Sequence, residues 1–89
     1  MKQLRNNGVP NRRKRALELF TTQKGKCWIC GGQMTKEKSL PNSLTIDHYI
    51  PISRGGNHGK RNLRGAHAQC NNERGNRLPP EMEKYYEEN

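Results

Sequence analysis

Apolar residues are scarce in this chain. Only 29% of its 89 residues are hydrophobic and 6% aromatic, with a single tryptophan and a single phenylalanine, against roughly 45–50% apolar in an ordinary globular domain. A core built from that supply is thin. Chains this short generally need a disulfide framework, a bound metal or a partner subunit to stay folded. No run is long enough to span a bilayer, and Met1 to Arg5 pass into Asn6 and Asn7 without the hydrophobic segment of a secretory signal. The expectation is a cytoplasmic protein with no membrane partner. Cysteine is sparse too, and its count is odd: Cys27, Cys30 and Cys70 leave one thiol over in any disulfide scheme, which favours a metal. Acidic residues are few, eight against 17 Lys and Arg, for a formal charge of +9. Four of those acids (Glu81, Glu83, Glu87, Glu88) close the chain, so the body before them is more basic still. An imbalance of that size in so small a domain points to nucleic acid as partner.

Taken in order, residues 1–10 read as a flexible basic arm carrying Lys2 and Arg5. From Asn11, a candidate N-cap, the run NRRKRALELFTT predicts a helix with Leu17 and Phe20 docked on the core, ended by Gly25. Its basic side, Arg12 to Arg15, fits either a DNA-contacting or a solvated face. Residues 33–43 are a polar connector. Leu44-Thr45-Ile46 reads as a short strand that delivers Asp47 and His48 at its end, and Tyr49 to Ile52 as its extended continuation. A glycine-rich loop follows, then a second strand around Arg61 to Arg64 and a helix from Ala66 to Arg77, stopped by Pro79-Pro80. The expected organisation is one domain over residues 11–80 and an acidic tail over 81–89, whose Met82, Tyr85 and Tyr86 are candidates for packing or docking.

The chemistry-bearing residues crowd together. Cys27-x-x-Cys30 and His67-x-x-Cys70 form two pairs well separated in sequence, the spacing of a closed tetrahedral zinc site. A redox role for Cys27-x-x-Cys30 is the alternative, but such a motif normally opens a helix in a βαβ context that this sequence does not supply. What remains suits a harder cation: the carboxylate of Asp47 and the amide oxygen of Asn71, with water and phosphate completing the shell. His48 is the candidate general base, since an imidazole titrating near neutrality accepts a proton from water. Asn62 and Asn71, taken singly, read as turn or capping residues. Arg74 is a candidate phosphate clamp, and Arg54, Lys60, Arg61 and Arg64 are candidate backbone contacts. His58, between glycine-rich neighbours, reads as an exposed loop residue.

The set Cys27-x-x-Cys30, Asp47-His48, Asn62, His67-x-x-Cys70-Asn71 resembles the HNH endonuclease family, in its zinc-stabilised branch, over roughly residues 25–77. The resemblance implies an α+β fold, the small ββα-metal (His-Me finger) arrangement with a structural zinc knuckle pair, here behind an N-terminal helix. It implies a DNA endonuclease with structural Zn²⁺ and a catalytic Mg²⁺, Mn²⁺ or other divalent cation. It places Asn62 at the middle letter of the motif, bracing the loop that orients the base, and Asn71 at the last. Related nucleases carry cysteine at both positions of the second knuckle, so His67 is a departure. His67 serving the catalytic metal, with three cysteines on zinc, is the other assignment. Small proteins of this look are common in bacteriophages and bacterial mobile elements, which implies a bacterial host cell and leaves room for a partner from DNA packaging or restriction; the sequence shows no dimer stripe, so a monomer or weak dimer is expected. Two rival functions stay open. One is a non-catalytic zinc module that binds nucleic acid through its basic loop; the other is an accessory subunit docking through Tyr85 and Tyr86.

Overall fold

The computed structural model describes residues 9–79, so the arm before Val9 and the tail with Met82, Tyr85 and Tyr86 lie outside the described residues. Helix α1 (Arg12–Thr22) is followed by strand β1 (Leu44–His48), strand β2 (Leu63–His67) and helix α2 (Ala68–Arg74). The strands form a two-stranded antiparallel sheet in which Leu44 faces His67, Ile46 faces Gly65 and His48 faces Leu63. The strand, loop, strand and helix order anticipated from the sequence is present.

Helix α1 forms where good helix formers run together and β-branched residues are held back to Thr21 and Thr22. Asn11 does occupy the N-cap, but in the left-handed region (φ 52°) and without a side-chain capping bond; its carbonyl accepts the Arg15 N–H instead. The other end closes in a Schellman motif: Lys24 takes φ 56°, its N–H reaches Thr21 O, and Gly25 N–H reaches Phe20 O at 2.8 Å. Ala16 is the buried residue of α1, with Leu17, Leu19 and Phe20 packed around the core. Val9, assigned to the arm on sequence, belongs to that core at 4% exposure.

The core is small and half of its character comes from short side chains. Leu63 and Met34, each 2% exposed, and Ala66, fully buried, sit with Leu44, Ile46 and Cys27. The connector is tied to the helix behind it. Ser43 is buried, donates to Glu37 O at 2.6 Å and accepts from Leu40 N–H. Its carbonyl and that of Pro41 accept the Ala68 and Gln69 N–H groups, which satisfies donors that the first turn of α2 leaves without intrahelical partners.

Three boundaries differ from those expected. Tyr49 to Ile52 does not continue extended: the chain bends after His48 and makes a 3-10 turn at Ile52–Arg54. The cause is Asn62, whose side chain takes both backbone groups of Ile50 (N–H to Oδ1 at 2.7 Å, Nδ2 to O at 3.0 Å) and so replaces strand pairing there. The second strand begins at Leu63, because Lys60–Asn62 forms another 3-10 turn. Helix α2 starts later and ends earlier than predicted, at Ala68 and Arg74, since Ala66 and His67 are still paired with β1 and Gly75 takes φ 58°.

Gly56 is packed against this bend: a Cβ there would lie 1.8 Å from Ile50 O and 2.8 Å from Asn62 Nδ2. Gly56→Ala should therefore cost about 1–3 kcal/mol, the scale of overpacking. In a domain of this size each kcal/mol lowers Tm by about 4–8 °C, and a thermal melt of the metal-loaded protein that matched wild type would show that the bend is not held there.

Candidate active site and metal centre

The two knuckles meet. The ligand atoms of Cys27, Cys30, His67 and Cys70 all lie within 4.8 Å of one another. Cys27 and Cys30 come from a turn closed by Cys27 N–H to Gly32 O and Gly31 N–H to Cys27 O, both 2.8 Å. His67 ends β2 and Cys70 lies in the first turn of α2, so the strand-to-helix junction supplies the second pair. Amides point at the sulfurs: Ile29 and His67 N–H approach Cys27 Sγ at 3.4 and 3.3 Å, and Gly32 N–H approaches Cys30 Sγ at 3.4 Å.

His67 belongs to this cluster. Its Nδ1 lies 3.3 Å from Cys30 Sγ and 3.6 Å from Cys70 Sγ, while Nε2 meets Gln33 O at 2.8 Å. The carbonyl can only accept, so Nε2 carries the proton and Nδ1 turns its lone pair toward the thiols. An outer hydrogen bond of this kind fixes the ring of a metal-ligating histidine. Three thiols and one imidazole are the donor set that zinc takes in closed structural sites.

Without a cation the thiols conflict. Burial opposes ionisation of Cys27, but the amides aimed at its sulfur outweigh it and hold the thiol below its usual value. Burial and the neighbouring Cys30 and Cys27 push Cys70 up to about 12. Cys27 is thus set to ionise and Cys70 to keep its proton unless a dication balances the charge, which couples metal binding to proton release and to folding.

Next to the metal cluster lies a second, polar constellation. Asp47 is 5% exposed, and its Oδ2 accepts from Trp28 Nε1 at 2.9 Å and Arg74 at 2.8 Å. Arg74, expected as a phosphate clamp, is itself 7% exposed: its other bonds go to the carbonyls of His48 at 2.8 Å and Tyr49. The guanidinium also stacks over the Trp28 ring, 5.1 Å from its centroid. Asn71 gives its amide nitrogen to Thr45 Oγ1 and Ile46 O, both 3.1 Å. Among the described residues, Asp47 Oδ1 and Asn71 Oδ1 accept no hydrogen bond. These two are oxygen donors of the kind a hard cation takes, so the residues present fit such an ion in chemistry.

His48, the last residue of β1, points its Nε2 at His58 Nδ1, 3.1 Å away. The two rings meet nearly edge-on, at 75° with centroids 5.1 Å apart. Burial, and then His58, depress the His48 pKa below 6.5 against the opposing pull of Asp47. Asp47 and His48 thus have different partners although they are adjacent, as strand alternation requires. Asn62, 9% exposed, bonds Ile50 on one side of the loop and Asn57 O, at 2.8 Å, on the other.

The basic candidates are in the loop and at the start of β2. Arg54, Lys60 and Arg61 are exposed, with Arg54 Nε donating to Asn76 O at 2.7 Å. Arg64 is half-buried, stacked over Tyr49 at 4.5 Å and bonded to Arg61 O. Two contributors escaped the sequence reading. Trp28 packs against the core and its indole N–H holds Asp47; His58, read as an exposed loop residue, is half-buried against His48. The proximity of Trp28 to Cys27 in sequence was the available signal for the first, and the ten-residue offset of His58 from His48 gave none for the second.

A sequence model of the HNH endonuclease family matches residues 27–77, more than half of the chain. The chain belongs to the HNH endonuclease family. The match opens at the first cysteine of the metal cluster and takes in the cluster together with Asp47, His48, Asn62, Asn71 and Arg74, and the two-stranded sheet with its following helix is the ββα-metal arrangement of this nuclease-type fold. No curated protein sequence matches the chain. No helix among the described residues is long and apolar enough to cross a membrane.

Two tests concern this architecture. Structural zinc in small peptides binds with about 10–16 kcal/mol of apparent free energy, as much as the whole stability of a small domain. Cys30→Ser should therefore lose the metal and the cooperative melt together; a folded Cys30→Ser protein with unaltered Tm and no zinc would overturn the structural role. Arg74→Ala would leave the Asp47 carboxylate buried beside Trp28 with no counter-charge, at a cost of about 3–5 kcal/mol. Chemical denaturation of the zinc-loaded variant measures it, and a loss below about 1 kcal/mol, the range of exposed ion pairs, would mean that the pair opens to solvent.

Proposed function

We propose that this HNH protein is a metal-dependent DNA endonuclease in which His48 is the general base. The observation that carries the reading is the placement of His48: a half-buried imidazole at the end of β1, beside Asp47 in sequence, where burial and then His58 lower its pKa and favour the base form. Family membership and the excess of basic side chains point to DNA as the substrate.

Hydrolysis then proceeds by in-line attack of water on the phosphorus. His48 takes the proton of the water, the new O–P bond forms, and the 3′ oxygen leaves and is protonated from solvent. The products carry 5′-phosphate and 3′-hydroxyl ends. Asp47 and Asn71 would hold a divalent cation, Mg²⁺ or Mn²⁺, which when bound stabilises the charge developing on the phosphate and the leaving oxygen. Arg74 lies beside the same carboxylate and offsets its charge, so this pair of ligands offers the ion little net charge by itself. Substrate phosphate supplies the remainder, as is usual for magnesium.

Around the reacting groups, Asn62 keeps the loop after His48 in place, and Arg74 ties the end of β1 to α2. Exposed Arg54, Lys60 and Arg61 are suited to phosphates flanking the cut, contacts that position the protein without selecting bases. The Cys27, Cys30, His67 and Cys70 cluster holds structural zinc and takes no part in the chemistry. A single site of this kind nicks one strand at a time.

Plasmid nicking by purified protein in Mg²⁺, Mn²⁺ and EDTA tests the proposal. His48→Ala should lower the rate by at least about 10²-fold, the usual contribution of a general base, at unchanged zinc content and DNA affinity. Because the His48 pKa is depressed, its base form persists as pH falls, and the acid limb of kcat/KM, which reports the free enzyme, should have its midpoint below 6.5. Equal cutting by His48→Ala would remove His48 from the mechanism. Salt-sensitive DNA binding without cutting by either protein would instead indicate a binding module.

A further inference from the structure

The loop residue His58 faces the proposed base directly, and its placement is built rather than incidental. Asn62 Nδ2 bonds Asn57 O at 2.8 Å, Asn57 Oδ1 accepts the Gly59 N–H at 2.9 Å, and Asn62 N–H bonds Gly59 O at 2.9 Å. The residues on either side of His58 are therefore both fixed to a buried asparagine that also fixes Ile50, two residues beyond His48. His58 is half-buried by this arrangement. The result is a single short contact, His48 Nε2 to His58 Nδ1 at 3.1 Å.

One proton occupies that contact, and its position decides what His48 can do. A neutral imidazole has one N–H and one lone pair. If His58 Nδ1 donates, His48 must carry its own proton on Nδ1 and has no lone pair left for water. If His48 Nε2 donates, Nδ1 keeps its lone pair and the ring is a competent base. The second arrangement also puts the His48 proton on Nε2, the nitrogen that free histidine side chains favour.

We propose that His58 is a positioning residue for the endonuclease reaction: its Nδ1 accepts the Nε2 proton of His48, which selects the tautomer of His48 that presents Nδ1 to the attacking water. The inference rests on the general-base reading of His48. In this role His58 acts through the neighbouring ring. It does for His48 what Gln33 O does for His67 at the metal cluster, with an imidazole nitrogen in place of a carbonyl oxygen.

The test compares full-length, zinc-loaded wild type with His58→Ala, His58→Asn and His58→Gln, measuring zinc content, Tm, kcat and KM on plasmid DNA. His58→Ala should lower kcat by about 10–100-fold, the scale for removing a partner that orients a working histidine, with KM and zinc unchanged. Asparagine places its oxygen where Nδ1 was and should restore most of the rate. Glutamine, whose oxygen falls at the place of Nε2, should not. Nitrogen-15 NMR of the His48 ring gives an independent readout: the proton should be on Nε2 in wild type and in His58→Asn, and exchange between both nitrogens in His58→Ala. Wild-type kcat in His58→Ala, or a wild-type His48 protonated on Nδ1, would overturn the proposal. If wild type itself does not cut DNA, the endonuclease reading fails separately. The spectra then decide alone, a tautomer lost in His58→Ala upholding the positioning role and one unchanged in His58→Ala overturning it.

Discussion

Everything in this small domain hangs on four soft donors being brought within 4.8 Å of one another. The hydrophobic inventory explains why. With a core of Leu63, Met34, Leu44, Ile46 and a few alanine-sized neighbours, area burial alone leaves the conformational entropy of some seventy ordered residues poorly offset. A metal held by these four donors would join the turn at Cys27–Cys30 to the junction of β2 and α2, segments far apart in sequence. Cys27 belongs to both systems, a ligand whose side chain is also 2% exposed in the core. The electrostatics run the same way, since burial and the neighbouring thiols oppose ionisation of Cys70, which a dication in the cluster would favour.

Helix α2 shows how much is gained from that tie. Its seven residues are too few to be stable as an isolated helix, yet it carries Cys70, Asn71 and Arg74. The first faces the metal, the second bonds β1 at Thr45 and Ile46, and the third bonds the far end of β1. Its opening N–H groups are taken by the carbonyls of Ser43 and Pro41. The helix is held from both ends and one side by groups it did not bring, and in return fixes the strand on which Asp47 and His48 stand.

Much of this was legible in the residues. The cysteine arithmetic, the helix from Asn11 and the strand ending at Asp47-His48 follow from spacing, composition and alternation, and the structure has them where those signals put them. Illegible were the contacts that run against residue type. An arginine in a polar stretch reads as exposed, and only the position of Asp47 across the fold reveals that Arg74 is buried. The bend after His48 was invisible for a similar reason: Tyr49 to Ile52 has strand propensity, and what overrides it is the side chain of Asn62, ten or more positions away. His58 carried no local pattern at all, because what makes it notable is a distance to another ring.

Trp28 is the one tryptophan of the chain, and it stands at a junction. It follows the ligand Cys27 directly, its indole N–H is bonded to Asp47, and its ring lies under Arg74 and beside Tyr49, 5.4 Å away. The chain therefore contains its own optical gauge. A cation in the cysteine cluster would act on the backbone just before the indole, and one drawn to Asp47 would act on the group that the indole N–H holds, so both would reach one fluorophore. One indole thus adjoins the cysteine cluster along the chain and the Asp47 carboxylate through its N–H.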